Sequence, residues 1–201
     1  MYASGRMRPL AAALLASLAL AAPAAADAPP AGSTWSEATF SSADGTRLHA
    51  DVFRPAAAEA ARVPVMLVVT PYLGTPSPEG PPVVLRWYRA LYERAIGRGF
   101  AVAQVSLRGT GASAGCGDFG GPREQEDVAA AIDWAAREPW SSGAVTMAGH
   151  SFDGYAALAG VVQRPGALRA VVVMAPAVDL YRGVFMNGVR YLQSPAVAGY
   201  Y

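Results

Sequence analysis

The 201-residue sequence carries 16 basic and 15 acidic side chains, a formal net charge of +1, and 53% hydrophobic residues. So even a balance provides no basic field to gather phosphates, which argues against nucleic acid as a partner. Every basic side chain is arginine, a compositional habit spread along the chain and not a binding patch. The single cysteine, Cys116, excludes a disulfide within the chain; it reads as a small buried hydrophobe or as a thiol whose partner lies elsewhere.

The first 26 residues are read as a targeting segment. Arg6 and Arg8 precede an apolar run from Leu10 to Ala22, and Ala24-Ala25-Ala26 supplies small residues at a cleavage point. The run is shorter than the roughly 20 residues of a spanning helix, and Pro23 breaks it. The expectation is a signal peptide over 1–26, a secreted or periplasmic product, and no stable membrane span after cleavage. A short leader over 27–34 follows, and 35–201 is long enough for one domain with a core and too short for two.

Trp35 to Ser41 and Thr46 to Phe53 predict two strands joined at Asp44-Gly45, a strong hairpin signal. Leu48, Ala50 and Val52 share one face, and His49 and Asp51 the other, so His49 is expected to be an exposed strand residue. Val63 to Thr70 is a continuous β-branched and apolar run, the mark of a strand covered on both faces in a parallel sheet. A Gly/Pro-rich loop to Pro82 leads to a helix predicted over 83–96, whose stripe of Val84, Leu85, Tyr88, Leu91, Tyr92 and Ala95 reads as core. Phe100 to Val105 predicts a strand, Pro122 to Arg137 a helix with Val128, Ile132 and Ala135 inward, and Ala144 to Ala148 a strand. Ser151 to Arg164 predicts a helix, and Leu168 to Met174 a further buried strand. A hairpin followed by alternating strands and helices implies an α/β fold with a mostly parallel sheet and right-handed crossovers.

No Gly-x-Gly-x-x-Gly or Walker-type loop follows any of these strands, so no nucleotide cofactor is expected. Metal has little support either, because His49 and His150 lie on different elements. The chemistry-bearing segment is Gly149-His150-Ser151-Phe152-Asp153-Gly154, directly after one predicted strand and directly before a helix. A serine at such a turn is held out over the carboxyl edge of the sheet, and the helix directs free N–H groups toward the same point. The usual form has glycine two residues after the serine; here Asp153 stands there and glycine comes third. Ser151 is therefore the candidate nucleophile, and the Phe152 N–H one candidate oxyanion donor. A second donor should come from the loop after Val63 to Thr70, which opens Thr70-Pro71-Tyr72; the Tyr72 hydroxyl could reach the site or could pack on the loop. His150 is rejected as general base, since the residue before the nucleophile should point away from its hydroxyl, and a working base in such a fold arrives much later in the chain.

Several segments in order resemble the cocaine esterase, X-Pro dipeptidyl-peptidase and α-amino-acid ester hydrolase group of α/β-hydrolases. Asp44 to Pro55 is similar to that family's DG-x-x-L-x-x-D-V-[YF]-R-P strand pair, and Thr70-Pro71-Tyr72 to its T-P-Y. Arg108 to Gly115 resembles its R-G-x-G-x-S-x-G loop, Pro139 to Gly143 its P-W-S-N-G turn, and Gly149 to Gly154 its G-x-S-Y-x-G turn. The resemblance implies an acyl-enzyme on Ser151, with Tyr72 and the Phe152 N–H in the oxyanion hole. Ser106 stands where the family usually has aspartate, and Phe152 where it usually has tyrosine. The family's triad aspartate and histidine lie beyond a helical cap, whereas no histidine follows His150 here, and Asp179 comes too early in the order of strands to be the acid. The resemblance therefore implies an N-terminal part of an α/β-hydrolase, truncated before the last strands and without its base. Expected substrates are small-molecule esters, amides or peptides. The alternatives are a non-catalytic exported binding or scaffold module, and an acyltransferase on the same fold.

Overall fold

The computed structural model describes residues 28–190, apart from 59, 74–86, 164 and 187. The expected signal peptide, residues 74–82 of the Gly/Pro-rich loop and the first part of the helix predicted over 83–96 lie outside the described residues.

Ser33–Ser41 (β1) and Arg47–Pro55 (β2) form the N-terminal hairpin, so two residues of the expected leader already belong to a strand. Val63–Thr70 (β3), Ala101–Ser106 (β4), Ser141–His150 (β5) and Leu168–Met174 (β6) complete a six-stranded sheet in the order β1-β2-β4-β3-β5-β6. The hairpin joins antiparallel through β2 and β4, and β4-β3-β5-β6 are parallel. The helices are Arg89–Ile96 (α1), Pro122–Arg137 (α2) and Phe152–Gln163 (α3). The described helix before β4 thus opens at Arg89, with Tyr88 as its N-cap.

The β-branched runs that predicted β3 and β4 make the centre of the sheet, where Val65, Leu67, Val69, Val102, Ala103 and Val105 have no exposed surface. Each such valine or leucine contributes about 1.5–3 kcal/mol relative to an exposed one. Successive side chains point to opposite faces, so the two faces hold separate cores. On one face Leu67, Val69 and Val105 pack with Val128, Ile132 and Ala157 of α2 and α3. On the other, Met66, Val68 and Val102 pack with Tyr92 and Ile96 of α1. Small residues bring α3 close: a β-carbon at Gly160 would lie 2.8 Å from the Met147 sulfur.

Three expectations are corrected. His49 is buried, 5% exposed, because β2 lies inside the sheet between β1 and β4, and Asp51 on the same face of β2 is covered too. Its Nε2 lies 3.2 Å from Glu37 Oε1, while Trp35 Nε1 donates to Asp51 Oδ1 at 2.9 Å. Strand β6 is not buried on both faces: Val171 and Val173 pack inward, but Val172 is 56% and Met174 37% exposed, since β6 has a sheet neighbour on one side only among the described residues. Cys116 is exposed, not a buried hydrophobe.

Arg108, only 2% exposed, draws three distant segments together. Its guanidinium donates to both Asp127 oxygens, at 2.7 and 2.6 Å, and to Asp44 Oδ2 at 2.8 Å. The Asp127 hydrogen bonds above all raise the Arg108 pKa further, and the Arg108 hydrogen bond holds the Asp44 carboxyl well below the usual carboxylate range. The glycine-rich loop it anchors folds back on β4 and β2. Ser113 Oγ accepts from the His49 N–H at 2.9 Å and donates to the Ser106 carbonyl at 2.7 Å. A β-carbon on Gly111 would overlap Ser106 Oγ, so the loop closes only over glycine there. Removing one partner of a buried pair leaves the other charge uncompensated. Asp127→Ala is expected to lower unfolding free energy by about 3–5 kcal/mol in urea titration; a loss below about 1 kcal/mol would show that the network is structurally dispensable.

Candidate active site

Strand β5 turns into α3 within one residue. Gly149 sits so close to the first turn of α3 that a β-carbon there would overlap the Asp153 carbonyl, and one on Gly154 would press on Pro176 at 3.2 Å. Between them Ser151 adopts φ +59°, a left-handed conformation that a non-glycine residue rarely takes and that costs about 1–3 kcal/mol. The surroundings hold it there. The Ser151 N–H donates to the Met174 carbonyl at 3.0 Å, and its carbonyl accepts from Tyr155 N–H at 3.1 Å and Ala177 N–H at 3.3 Å.

The structure brings the three sequence-predicted residues together. The Tyr72 hydroxyl donates to Ser151 Oγ at 3.3 Å, and its oxygen accepts from the Phe152 N–H at 3.4 Å. Tyr72 reaches this point because Thr70 ends β3 beside β5, and the Tyr72 N–H is fixed on Thr70 Oγ1 at 3.2 Å. Two polar hydrogens, one phenolic and one at the positive end of α3, therefore converge beside a serine oxygen, an arrangement suited to an oxygen that gains negative charge. The adjoining open cleft, about 490 Å³, is lined among the described residues by Tyr72, Trp87, Tyr88, His150, Ser151 and Met174. Trp87 meets Tyr72 edge to face with centroids 5.9 Å apart. His150 borders the cleft with an exposed side chain, but the hydrogen bond that reaches Ser151 Oγ comes from Tyr72.

Below the serine lies a buried polar group that the sequence reading passed over. Asp153 and Tyr88 are each 1% exposed, and the Tyr88 hydroxyl donates to Asp153 Oδ2 at 2.8 Å. Burial pushes the Asp153 carboxyl up to about 7, against the downward pull of Thr70 and Tyr88. Thr70 is close enough to exert that pull, yet Asp153 Oδ1 makes no hydrogen bond of ordinary geometry. Burial also raises Tyr88 far above an ordinary phenol. Helical spacing places Tyr88 in an apolar stripe; the signal for its hydroxyl's partner is the acidic residue where the turn pattern places glycine, since on the inward side of the helix's first turn it must find a partner.

Glu37, His49 and Asp51 bring one donor atom each within 4.8 Å of one another. Reading the histidines alone missed the two carboxylates beside His49: Glu37 is paired with Asp51 across the hairpin, and Thr39 with His49. The three could ligate a cation. His49 is already engaged with Glu37, and Asp51 with Trp35.

The X-Pro dipeptidyl-peptidase (S15 family) pattern matches residues 44–198. The chain belongs to that family. A candidate serine esterase of Mycobacterium bovis is 29% identical over 168 residues, covering 78% of this chain and 27% of the relative. A candidate Xaa-Pro dipeptidyl-peptidase of Rhodopirellula baltica is 34% identical over 107 residues, 46% of this chain and 17% of the relative. Among solved structures, a CocE/NonD family hydrolase from Staphylococcus aureus superposes with a TM-score of 0.60 at 24% identity, over 73% of this chain and 28% of that one. An α-amino acid ester hydrolase superposes at 0.59 and 22%, over 78% of this chain and 28% of that one. These likenesses establish the α/β-hydrolase fold, and the family is one of serine hydrolases with esterase and peptidase members. The chain spans about a quarter of the length of these relatives, 27% for the mycobacterial one.

Two outcomes test this geometry. Gly149→Ala is expected to abolish cooperative unfolding or lower the melting temperature by at least about 10 °C, because the overlap is with backbone. Asp153 gives a pH signature. Its folded-state pKa of about 7 lies above the ordinary 3.8, so between those values the folded chain holds a proton that the unfolded chain has released. Stability therefore falls as pH rises from about 4 to about 7, by at most about 4 kcal/mol from this group. In Asp153→Asn the decline should be shallower by that amount; equal slopes in urea titrations across the range would refute the shifted carboxyl.

Proposed function

We propose that this chain carries the nucleophile and oxyanion hole of a serine hydrolase acting on ester or amide bonds. Ser151 Oγ attacks the acyl carbonyl. Tyr72 then turns its hydroxyl from Ser151 onto the developing oxyanion, joined by the Phe152 N–H, and the alcohol or amine leaves an acyl-enzyme that water hydrolyses. The observation that carries this reading is the Tyr72 hydroxyl, which donates to Ser151 Oγ at 3.3 Å and accepts the Phe152 N–H at 3.4 Å, on a left-handed strand-to-helix turn. Family membership and the hydrolase names borne by relatives support it.

The reaction also needs a group that takes the serine proton and returns it to the leaving group. The sequence holds two histidines. His49 is buried against Glu37, and the polar contact at Ser151 Oγ is with Tyr72, not His150. We infer that the base and its acid partner come from the length of the longer relatives that this chain does not span. The basic, apolar and small-residue start supports export of the product. The aromatic lining of the cleft suits an apolar acyl or leaving group, with the choice between ester and peptide set by residues outside the described cleft wall.

The decisive assay uses the complete gene product with a p-nitrophenyl ester of a short fatty acid. Ser151→Ala is expected to lower kcat by several orders of magnitude, leaving only the residual catalysis of the oxyanion hole, and Tyr72→Phe to lower kcat by about 10²–10³-fold with little change in KM. Turnover retained in Ser151→Ala would overturn the assignment of the nucleophile. Transfer of the acyl group to an added alcohol in preference to water would identify an acyltransferase instead.

A further inference from the structure

The Tyr88–Asp153 pair takes no part in the acyl transfer proposed above, yet it touches the nucleophile turn from both sides. The Tyr88 hydroxyl has one proton, and it goes to Asp153 Oδ2 at 2.8 Å. Its oxygen is thereby left to accept, and it accepts the His150 N–H at 2.7 Å. His150 is the last residue of β5, and Asp153 lies in the first turn of α3. One hydroxyl thus bridges the strand end and the helix start, spanning the left-handed Ser151 between them.

Tyr88 is a firm anchor for such a bridge. Its ring stacks in parallel on Tyr92 with centroids 5.7 Å apart, and the Tyr92 hydroxyl is fixed on Gln104 Oε1 at 3.0 Å, inside β4. Without an acceptor at position 153 the phenolic proton would be free to rotate, and the oxygen would no longer be committed to His150. A buried carboxyl in place of the glycine usual at that position has no packing advantage, since burying an acid costs free energy. Directing a hydroxyl is a role that fits it.

We propose that Tyr88 and Asp153 are positioning residues for the nucleophile turn: Asp153 orients the Tyr88 hydroxyl, and that hydroxyl clamps the His150 N–H so that Ser151 Oγ and the Phe152 N–H stay aimed at Tyr72. The kinetic part of this inference rests on the hydrolase reading; the clamp itself does not.

The test measures both. In the complete gene product, Tyr88→Phe keeps the ring stack and loses only the hydroxyl; it and Asp153→Leu are each expected to lower kcat about 10- to 100-fold while KM stays within about twofold. Asp153→Asn retains an acceptor oxygen and should restore most of the kcat lost in Asp153→Leu. The double variant Tyr88→Phe/Asp153→Leu should be no worse than the poorer single one, because both changes break one bridge. Additive losses, or a rise in KM at constant kcat, would overturn the proposal. Ser151→Ala serves as the control: if the wild type is no faster than this variant, the hydrolase reading has failed, and amide hydrogen exchange decides the clamp alone. There, Tyr88→Phe should speed exchange at His150 about tenfold or more while Leu67 in β3 is unchanged. Unaltered exchange at His150 would overturn the clamp, and should Asp153→Leu not fold, Tyr88→Phe carries both readouts.

Discussion

The close approach of the first turn of α3 to Gly149, where a β-carbon would overlap the Asp153 carbonyl, governs the architecture around the candidate site. Strand β5 and helix α3 come this close only because nothing projects from residue 149, and the shortness of the turn forces Ser151 into the left-handed region. Its side chain is then lifted out of the sheet edge, and the Phe152 N–H is left unclaimed by the helix ladder. Tyr72 arrives from the neighbouring strand β3 and occupies both vacancies with one hydroxyl. The parallel order of β3, β5 and β6 is what places these pieces on one edge, since parallel strands all present their carboxyl ends to the same side. The Met174 carbonyl at the end of β6 completes the support by accepting the Ser151 N–H.

Most of the fold was legible because the physical signals were local. The unbroken valine and leucine runs of β3, the Asp44-Gly45 turn and the 3.6-residue spacing of α2 each name their element without knowledge of the rest. The serine turn was legible for the same reason: a glycine, a serine and a helix start in immediate succession. Readings failed where the environment comes from distant chain. His49 alternates correctly with Leu48 and Ala50, but a two-residue period tells only which face a side chain takes and not whether that face is covered. Strand β6 shows the converse, an apolar run whose outer face is open at Val172. Of the carboxylates that accompany His49, Asp51 shares its strand and face, while Glu37 is recruited by strand pairing, which a search for histidine spacing does not sample. Tyr88 was correctly placed in the core, yet helical periodicity describes the ring and is silent about the hydroxyl.

The electrostatic character of the cleft follows from these details. Its described walls are largely aromatic or thioether, and among the described residues the ion pairs with a buried member lie elsewhere: Arg108 with Asp44 and Asp127, and Glu37 with His49 across β1 and β2. Among the described residues, the Tyr72 hydroxyl reaches Ser151 Oγ and accepts the Phe152 N–H, and the Tyr88 hydroxyl holds the His150 N–H. Dipoles held in place by packing need no reorganisation when charge develops, the condition under which such groups stabilise an oxyanion most. The site geometry thus gathers donors suited to stabilising charge beside Ser151, in a chain that spans about a quarter of the length of its relatives.

The Arg108 cluster has a consequence for how this surface opens. Asp44, Arg108 and Asp127 lie in a hairpin turn, a glycine-rich loop and a helix, elements that would ordinarily fray independently at low cost. Because a guanidinium cannot shed its proton to escape burial, any one of the three that loosens strands a cation whose partners have gone. Fluctuation of each piece is thereby coupled to the others, so that the turn, the loop and the first turns of α2 open together rather than one at a time.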